Sequence, residues 1–270
     1  EETHLCLGTI YREKKEYEQS VKEFQEILKV SLRKNETFFH NKIINEIEIS
    51  QRKIVLSSKP RILGITLTNK CNLRCSICDI WKDRWEIPKK IIQEIVGLYP
   101  YLEQIVWQGG EVFLVDYFEE LFDRAVSYPN LNQSIITNGL LIDERWANKL
   151  ARRNINLTIG IDGITEKTYE EIRKGGAFKN LLNRLTTINK YKREYNKDVS
   201  TVDRMTTIMN FVVMKLNYRE LEHVVDFAKE YEFDSLQLYT IEGVVDLNNI
   251  FLHNDREALE YIGKIKPQLL

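Results

Sequence analysis

Three of the chain's four cysteines, Cys71, Cys75 and Cys78, lie close together in the spacing CxxxCxxC. Three thiolates on one short loop form a soft, sulfur-rich group that suits zinc, copper(I) or an iron–sulfur cluster. Structural zinc normally takes four protein ligands, usually as two separated pairs. No second cysteine pair and no HxxxH sequence follows. A site with three protein thiolates leaves a fourth metal position open, as substrate or cofactor chemistry requires.

Two further motifs follow predicted strands. Gly109 and Gly110 precede Glu111, and Thr137 and Asn138 belong to a Thr-Asn-Gly sequence one strand later. Paired glycines allow a backbone to approach a ligand closely and to adopt positive φ, and Glu111 adds a carboxylate. Asn-Gly alone is a common turn dipeptide. The position of each motif after a strand therefore carries more information than its composition.

A third motif follows the fourth predicted strand. Asp162 lies in the sequence Gly-Ile-Asp-Gly, and Arg173 begins the stretch Arg-Lys-Gly-Gly. A guanidinium is planar and always charged, so it suits the binding of a carboxylate.

The motifs together resemble the radical S-adenosylmethionine (radical SAM) enzymes, in particular the peptide-modifying kind with SPASM or twitch extensions. In that family three cysteines bind three irons of a 4Fe–4S cluster, and S-adenosylmethionine (SAM) chelates the fourth. The resemblance implies that Cys71, Cys75 and Cys78 ligate such a cluster and that Ile77 lies near the adenine. Zinc and a chance group of buried thiols are the alternatives for the cysteines.

The same resemblance implies the SAM contacts. The segment of Gly109, Gly110 and Glu111 would hold the amino group of SAM. Arg173 would reach the carboxylate, with Asp162 nearby. For Thr137 and Asn138, turn formation and SAM contact remain equal alternatives.

One position departs from the family pattern, and two strand ends remain open. Gly160 stands where many relatives have serine, so one contact to SAM is expected to be absent or to come from Thr158 or water. Asn210 and residues 237–239 are predicted to line the adenine or the substrate. For Phe211, Val213 and Leu238 the favoured interpretation is filling of the barrel.

From Arg61 onward, strand-like and helix-like segments alternate, which favours a parallel sheet with right-handed crossovers. The predicted fold class is α/β, a partial (β/α)6 TIM-like barrel with an N-terminal α-helical region. Chemistry in such barrels occurs at the C-terminal ends of strands, which puts the cysteine loop at the mouth. Capping boxes are predicted at Asp116 with Glu119 and at Asn217 with Glu220. The predicted strands are 62–67, 104–108, 133–137, 157–161, 207–214 and 235–239.

The N-terminal part has its own pattern. Apolar residues at helical spacing in residues 1–34 predict two amphipathic helices that resemble one tetratricopeptide repeat, with a plain helical hairpin as the alternative. Gly8 would permit close packing over Phe24, and Cys6 is expected to be buried. Asn35 is a predicted N-cap for a linking helix that reaches about Ser57. The predicted domains are 1–34, 35–60, a barrel at 61–243 and the start of a C-terminal extension at 244–270.

Composition excludes several classes. The chain has 270 residues, 43% hydrophobic and 29% charged, with a net charge of −1. A net charge of this size does not indicate binding to nucleic acid or to an anionic membrane, both of which attract strongly basic proteins. No run has the length of a transmembrane helix or the pattern of a signal peptide. The cysteine cluster fits a reducing cytoplasm.

The resemblance implies a function. A reduced 4Fe–4S cluster cleaves SAM to a 5′-deoxyadenosyl radical, which abstracts hydrogen from a peptide or small-molecule substrate. Flavodoxin or ferredoxin is the expected electron donor, and the helical N-terminus is a candidate surface for a protein partner. The alternative function is an interaction module whose cysteines hold structural zinc. A degenerate fold that binds SAM without turnover is disfavoured by the three intact cysteines.

No cysteine follows Cys78, so this chain can ligate no auxiliary cluster of the SPASM or twitch kind. Either the protein continues beyond Leu270 into such a domain, or it is a minimal enzyme with one cluster. Truncation is the favoured expectation, because an uncovered partial barrel would expose its core on one side.

Overall fold

The computed structural model describes residues 2–34, 37–197, 200, 204–241 and 248–269. The chain forms two compact units. The first comprises Glu1–Leu63, Pro88–Ile105 and Leu121–Asn132, and the second comprises Gly64–Ile87, Val106–Glu120 and Gln133–Leu270. Among the described residues, none of the helices is long and apolar enough to cross a membrane.

Helices and strands alternate after the first three helices. The helices are α1 (Glu2–Glu13), α2 (Tyr17–Lys34), α3 (Thr37–Ser50), α4 (Ile92–Leu98), α5 (Phe118–Val126), α6 (Glu144–Ala151), α7 (Glu166–Ile172), α8 (Phe178–Asn196), α9 (Leu221–Glu230) and α10 (Arg256–Leu269). The strands are β1 (Ile62–Thr66), β2 (Gln104–Gln108), β3 (Asn132–Thr137), β4 (Ile155–Gly160), β5 (Thr206–Val213) and β6 (Ser235–Thr240).

The six strands form one sheet in the order of the chain, β1-β2-β3-β4-β5-β6. The pairs β3–β4, β4–β5 and β5–β6 are parallel. The α/β prediction with six strands and an N-terminal helical region is therefore confirmed. Because the strands are parallel, the residues that follow them emerge at one edge of the sheet.

Strand β5 shows how the barrel is filled. Its residues alternate between buried and half-buried side chains, as a strand with two unlike faces requires. Phe211 and Val213 are buried, in agreement with the packing interpretation. Leu238 on β6 is 40% exposed, so the interpretation of Leu238 as a filling residue is wrong. β6 is the last strand in the sheet order, with a neighbour on one side only.

Both predicted capping boxes are wrong. α5 begins at Phe118, two residues after Asp116. Asn217 makes no capping bond, because its side chain accepts from Met214 N and donates to the carbonyl oxygens of Asp162 and Val212. Asn217 thus joins the end of β5 to the loop after β4, which carries a predicted site residue.

The first unit has a small core of its own, formed by Phe24, Ile27, Ile43 and Ile47. Gly8 is buried on α1, and a Cβ atom there would lie 2.7 Å from the Phe24 ring. The predicted close packing of α1 over Phe24 is confirmed. Cys6 is exposed, so the expectation that Cys6 is buried is wrong. The likeness to a tetratricopeptide repeat stays a prediction.

Helix α3 is shorter than predicted. It ends at Ser50, where Arg52 adopts a left-handed backbone with φ of 57°, and not near Ser57. The Glu48 carboxylate then accepts from the backbone N–H groups of Ser57 and Ser58 at 2.9 and 3.0 Å. These hydrogen bonds hold Ser57 and Ser58 in a non-helical segment, in the part of the chain where the sequence predicts the end of the helix. The predicted N-cap Asn35 lies outside the described residues.

Candidate active site on the cysteine loop

The loop after β1 carries Cys71, Cys75 and Cys78 as free, half-buried thiols. Burial raises the pKa of Cys71 and of Cys75, although the Leu73 N–H on Cys71 and the Arg173 guanidinium near Cys75 oppose the rise. The neighbouring Cys71 and Cys78 thiols add to the rise of the Cys75 pKa electrostatically. Within the described part of the chain, no three acidic, histidine or cysteine side chains converge on a metal-ion geometry. The donor set of three neighbouring thiols nevertheless fits an iron–sulfur cluster.

Hydrogen bonds hold both sides of this loop. The Thr68 hydroxyl donates to the Trp85 carbonyl at 2.7 Å, and Asn69 Oδ1 accepts from Trp85 N at 2.6 Å. On the other side, the backbone N–H of Arg74 donates to the Lys174 carbonyl, and that of Ser76 to the Ile172 carbonyl, each at 2.8 Å. Hydrogen bonds therefore fix the cysteine loop to the backbone of Trp85 on one side and to the end of α7 on the other.

Gly109 and Gly110 pack the end of β2 against the cysteine loop. A Cβ atom at Gly109 or Gly110 would lie well under 3.0 Å from the carbonyl oxygen of Thr68 or Lys70, respectively. Gly109 also has φ of 146°, which favours glycine. Gly110 N donates to Thr68 O at 2.7 Å, and Glu111 N donates to Lys70 O at 2.8 Å. The two glycines thus allow close backbone contact with the residues just before Cys71.

Glu111 is completely buried and bound by protein donors. Its carboxylate accepts from the Thr137 hydroxyl at 2.8 Å, from Asn138 N at 2.9 Å and from Phe113 N at 3.4 Å. Burial raises the pKa of Glu111, although these donors and Arg173 oppose the rise. In this arrangement Glu111 orients the end of β3. Its contact with SAM stays a prediction.

Asn138 reaches from β3 to the cysteine loop. Its Nδ2 donates to Asn72 Oδ1 at 2.8 Å, and its Oδ1 accepts from Leu140 N at 3.0 Å. Nδ2 also lies 3.9 Å from Cys71 Sγ. Asn138 therefore forms the local turn and contacts the loop. Sequence reasoning missed Asn72, for which the position between Cys71 and Cys75 was the available signal.

Asp162 and Arg173 form a buried ion pair. Asp162 Oδ2 lies 2.7 Å from Arg173 Nη2, and the two side chains are 1% and 14% exposed. Asp162 Oδ1 accepts from Val212 N at 3.0 Å. Burial opposes the charged form of Arg173, yet Asp162 raises the Arg173 pKa above its usual value. The structure thus brings Asp162 and Arg173 together, close enough to Cys75 that Arg173 lowers and Asp162 raises the pKa of that thiol.

The remaining predicted residues lie around the strand ends. Ile77 packs against an apolar cluster of Ile172, Met214 and Ile241. The Oδ1 atom of Asn210 is buried without a hydrogen-bond partner. The Tyr239 hydroxyl is 3.0 Å from Gln237 Oε1 on exposed β6. Roles of these residues toward the adenine or the substrate stay predictions.

A cavity of about 240 Å³ opens beside Cys71. Its lining is basic, with Arg74 stacked over Trp81 at 5.0 Å from the ring centroid. Trp81 Nε1 donates to the Cys78 carbonyl at 2.7 Å, which fixes this wall. Sequence reasoning missed the basic residues, which are scattered along the loop. The cavity is lined by Lys70, Cys71, Arg74, Trp81, Arg84 and Leu114.

The sequence is similar to several characterised proteins. It is 30% identical over 192 residues to a cysteine-type anaerobic sulfatase-maturating enzyme of Clostridium novyi (strain NT), which covers 63% of this chain and 48% of the relative. It is 28% identical over 204 residues to a GTP 3′,8-cyclase of Synechocystis sp., with coverage of 70% and 58%. The chain thus spans about half the length of the curated relatives it matches.

Solved structures share the fold. The native structure of anSMEcpe with bound AdoMet, which is SAM, superposes with a TM-score of 0.59 at 21% identity and covers 76% of this chain and 60% of its own. Streptococcus suis SuiB bound to S-adenosylmethionine gives a TM-score of 0.60 at 18% identity, with coverage of 84% and 54%. These likenesses support the partial-barrel fold.

The family itself follows from the match across the barrel. The sequence pattern of the Radical SAM superfamily matches residues 65–228, which include the cysteine loop and the motifs after β2, β3 and β4. This membership supports the radical SAM interpretation over an interaction module with structural zinc. The chain belongs to the radical SAM superfamily.

Proposed function

We propose that this chain carries the catalytic core of a radical SAM enzyme. The observation that carries the proposal is the loop of Cys71, Cys75 and Cys78, held after β1 by the ends of β2 and β3 in a chain of this family. When bound, the reduced 4Fe–4S cluster and SAM supply a 5′-deoxyadenosyl radical that abstracts hydrogen from the substrate. The protein's task is to position these groups and to exclude competing reactions.

Different residues of the chain have different proposed roles in holding the cluster and SAM. Cys71, Cys75 and Cys78 are the proposed cluster ligands. Arg173, held by Asp162, is the proposed partner of the SAM carboxylate, for which a fixed guanidinium is well suited. The remaining assignments keep the sequence-based roles: Gly109, Gly110 and Glu111 beside the SAM amino group, Thr137 and Asn138 beside SAM, and Ile77 near the adenine.

We propose a peptide as the substrate. Solved neighbours include anSMEcpe with the Cp18Cys peptide and SuiB with its precursor peptide SuiA. A nucleotide is the second candidate, because the cavity beside Cys71 is lined by Lys70, Arg74 and Arg84, and one similar protein is a GTP 3′,8-cyclase. Flavodoxin or ferredoxin is the proposed electron donor.

The first unit has a separate proposed role. We propose that α1 and α2 form a tetratricopeptide-like pair that binds a protein partner, followed by a linking segment at 35–60. Residues 61–243 are the proposed radical SAM barrel, and 244–270 the start of an extension. A cytoplasmic location is proposed because reduced thiols are maintained there.

Anaerobic reconstitution tests the cluster. The wild-type chain is expected to bind about four irons and four sulfides. Ala at position 71, 75 or 78 should abolish SAM cleavage and lower the iron content, because three thiolates hold the cluster. Cys6→Ala, at an exposed thiol on α1, is the matched control and should keep both. Full iron content and SAM cleavage in any of the three loop variants would contradict the ligand assignment.

Mass spectrometry separates the two substrate candidates. The reconstituted chain is incubated with SAM, reductant and either a cysteine-containing peptide or GTP. A peptide whose mass changes only with SAM present supports the first candidate. Conversion of GTP, reduced by Arg84→Ala, supports the second and overturns the first.

A further inference from the structure

The end of β4 lacks a side chain at the point where a buried cation packs. Gly160 is the last residue of β4 and is buried. A Cβ atom there would lie well under 3.0 Å from Arg173 Nη2 and 3.2 Å from both Cζ and Nη1. The guanidinium therefore fills the volume that any other side chain at position 160 would need.

Backbone conformation does not explain this glycine. The described glycines with positive φ are Gly109, Gly139 and Gly175, and Gly160 is not among them. An alanine or a serine could adopt the backbone of Gly160 without strain of that kind. The space for Arg173 is thus the physical reason for glycine at this position.

Arg173 is fixed in this volume but is not fully hydrogen-bonded. Its Nη2 pairs with Asp162, and Asp162 is held in turn by Val212 N. Its Nε atom is buried with no hydrogen-bond partner. Asn210, which pairs with Gly160 across β4 and β5, has a buried Oδ1 atom that also lacks a partner. Buried polar atoms are nearly always paired in folded proteins, so these two atoms point to a ligand.

We propose that Gly160 is a positioning residue for the cofactor, because it lets the Arg173 guanidinium lie against the end of β4 with Nε available to an anionic ligand group. This inference rests on the proposed function, in which that anionic group is the carboxylate of SAM. Here the guanidinium holds the place that a side chain on β4 would take. Gly160→Ser should therefore weaken SAM binding.

The physical consequence of a serine is displacement of Arg173. The new Cβ atom would push the guanidinium off the strand and away from Asp162, and a hydroxyl group cannot replace a charged donor. Removing one charge-assisted hydrogen bond costs enough to weaken binding about tenfold or more. If Arg173 is already absent, the serine meets no obstacle and should do no further harm.

A double-mutant cycle tests this coupling. SAM affinity is measured by calorimetry on reconstituted wild-type chain, Gly160→Ser, Arg173→Ala and the double variant. Gly160→Ser should lose about tenfold in affinity in the wild-type background, and less than about twofold where Arg173 is Ala. The matched control Gly64→Ala, on β1 with nothing within 4 Å of the added Cβ, should bind as wild type.

Two results would overturn the inference. One is Gly160→Ser that binds SAM as tightly as wild type, and the other is an undiminished loss in the Arg173→Ala background. Melting temperatures of the same four proteins without SAM give a second readout. The Gly160→Ser substitution should lower the melting temperature only when Arg173 is present. This readout does not require reconstitution of the cluster. Failure of wild-type chain to bind SAM would contradict the proposed function, while the melting cycle would still test the Gly160–Arg173 coupling.

Discussion

At the scale of single residues, the site depends on buried polar groups that restrain one another. Asp162 restrains Arg173, and Glu111 restrains Thr137 and Asn138. The sequence predicts that these residues gather near the cysteine loop, because each follows a parallel strand. It does not predict that the Glu111 carboxylate accepts its hydrogen bonds from protein donors, because those bonds depend on how closely the ends of β2 and β3 approach each other.

The Asp162–Arg173 pair gives a stability prediction. Asp162→Asn should keep an acceptor for Val212 N but leave Arg173 buried without its counter-charge. Breaking a buried pair in this way costs about 3–5 kcal/mol of the free energy of unfolding. Glu119→Gln removes a half-exposed carboxylate paired with Arg145 and Lys149, and should cost at most about 1 kcal/mol. Urea titrations of both variants measure the difference, and equal losses would contradict the importance of burial.

At the scale of elements, two glycines allow the end of β2 to pack closely against the cysteine loop that follows β1. The Gly-Gly sequence predicts a close backbone approach. The structure identifies the approached group as the cysteine loop itself, at Thr68 and Lys70. The motif alone could not show this, because the partner of a close approach is set by tertiary packing. Similarly, α3 ends at Ser50 because Glu48 binds the backbone N–H groups of Ser57 and Ser58, nine and ten residues farther along. Helical periodicity does not reveal this contact.

Gly110→Ala tests the close approach. The added methyl group would meet the Lys70 carbonyl oxygen and force the loop away from β2, at a cost of about 1–3 kcal/mol or more. The variant should lose iron during reconstitution and melt at a lower temperature. Gly97→Ala on α4, where nothing lies within 4 Å of the new methyl group, is the control and should keep its iron. Equal iron content in the two variants would count against the packing role.

Glu48 gives a prediction about pH. The Ser57 and Ser58 donors hold the pKa of Glu48 below its usual value of about 4.3. A lowered folded-state pKa stabilises the protein above the unfolded-state pKa, and this stabilisation disappears as the pH falls through the folded-state pKa. Glu48→Gln should therefore melt below wild type at pH 7, with a difference that shrinks below about pH 4.

The control for this pH effect is Glu18→Gln, at an exposed position on α2. It should melt like wild type at each pH. A Glu48→Gln variant whose melting temperature follows that of Glu18→Gln across the pH range would show that the turn does not depend on the Glu48 charge.

At the scale of the whole molecule, the sequence predicts the α/β class, the six strands and the sheet edge at which the chemistry is expected. β–α alternation and three strand-end motifs were sufficient for this, because parallel strands bring distant loops together at one edge. The volume above Gly160 and the basic cavity beside Cys71 were not predictable, because each depends on side chains from separate segments that meet only after folding.

The central claim is that the chain uses an iron–sulfur cluster to cleave SAM, and product analysis tests it most directly. The anaerobically reconstituted, reduced wild-type chain is incubated with SAM, and 5′-deoxyadenosine and methionine are quantified by chromatography. We expect both products in equal amounts, and neither with the triple Ala variant at Cys71, Cys75 and Cys78. A colourless protein that binds one zinc and forms no 5′-deoxyadenosine would contradict the account.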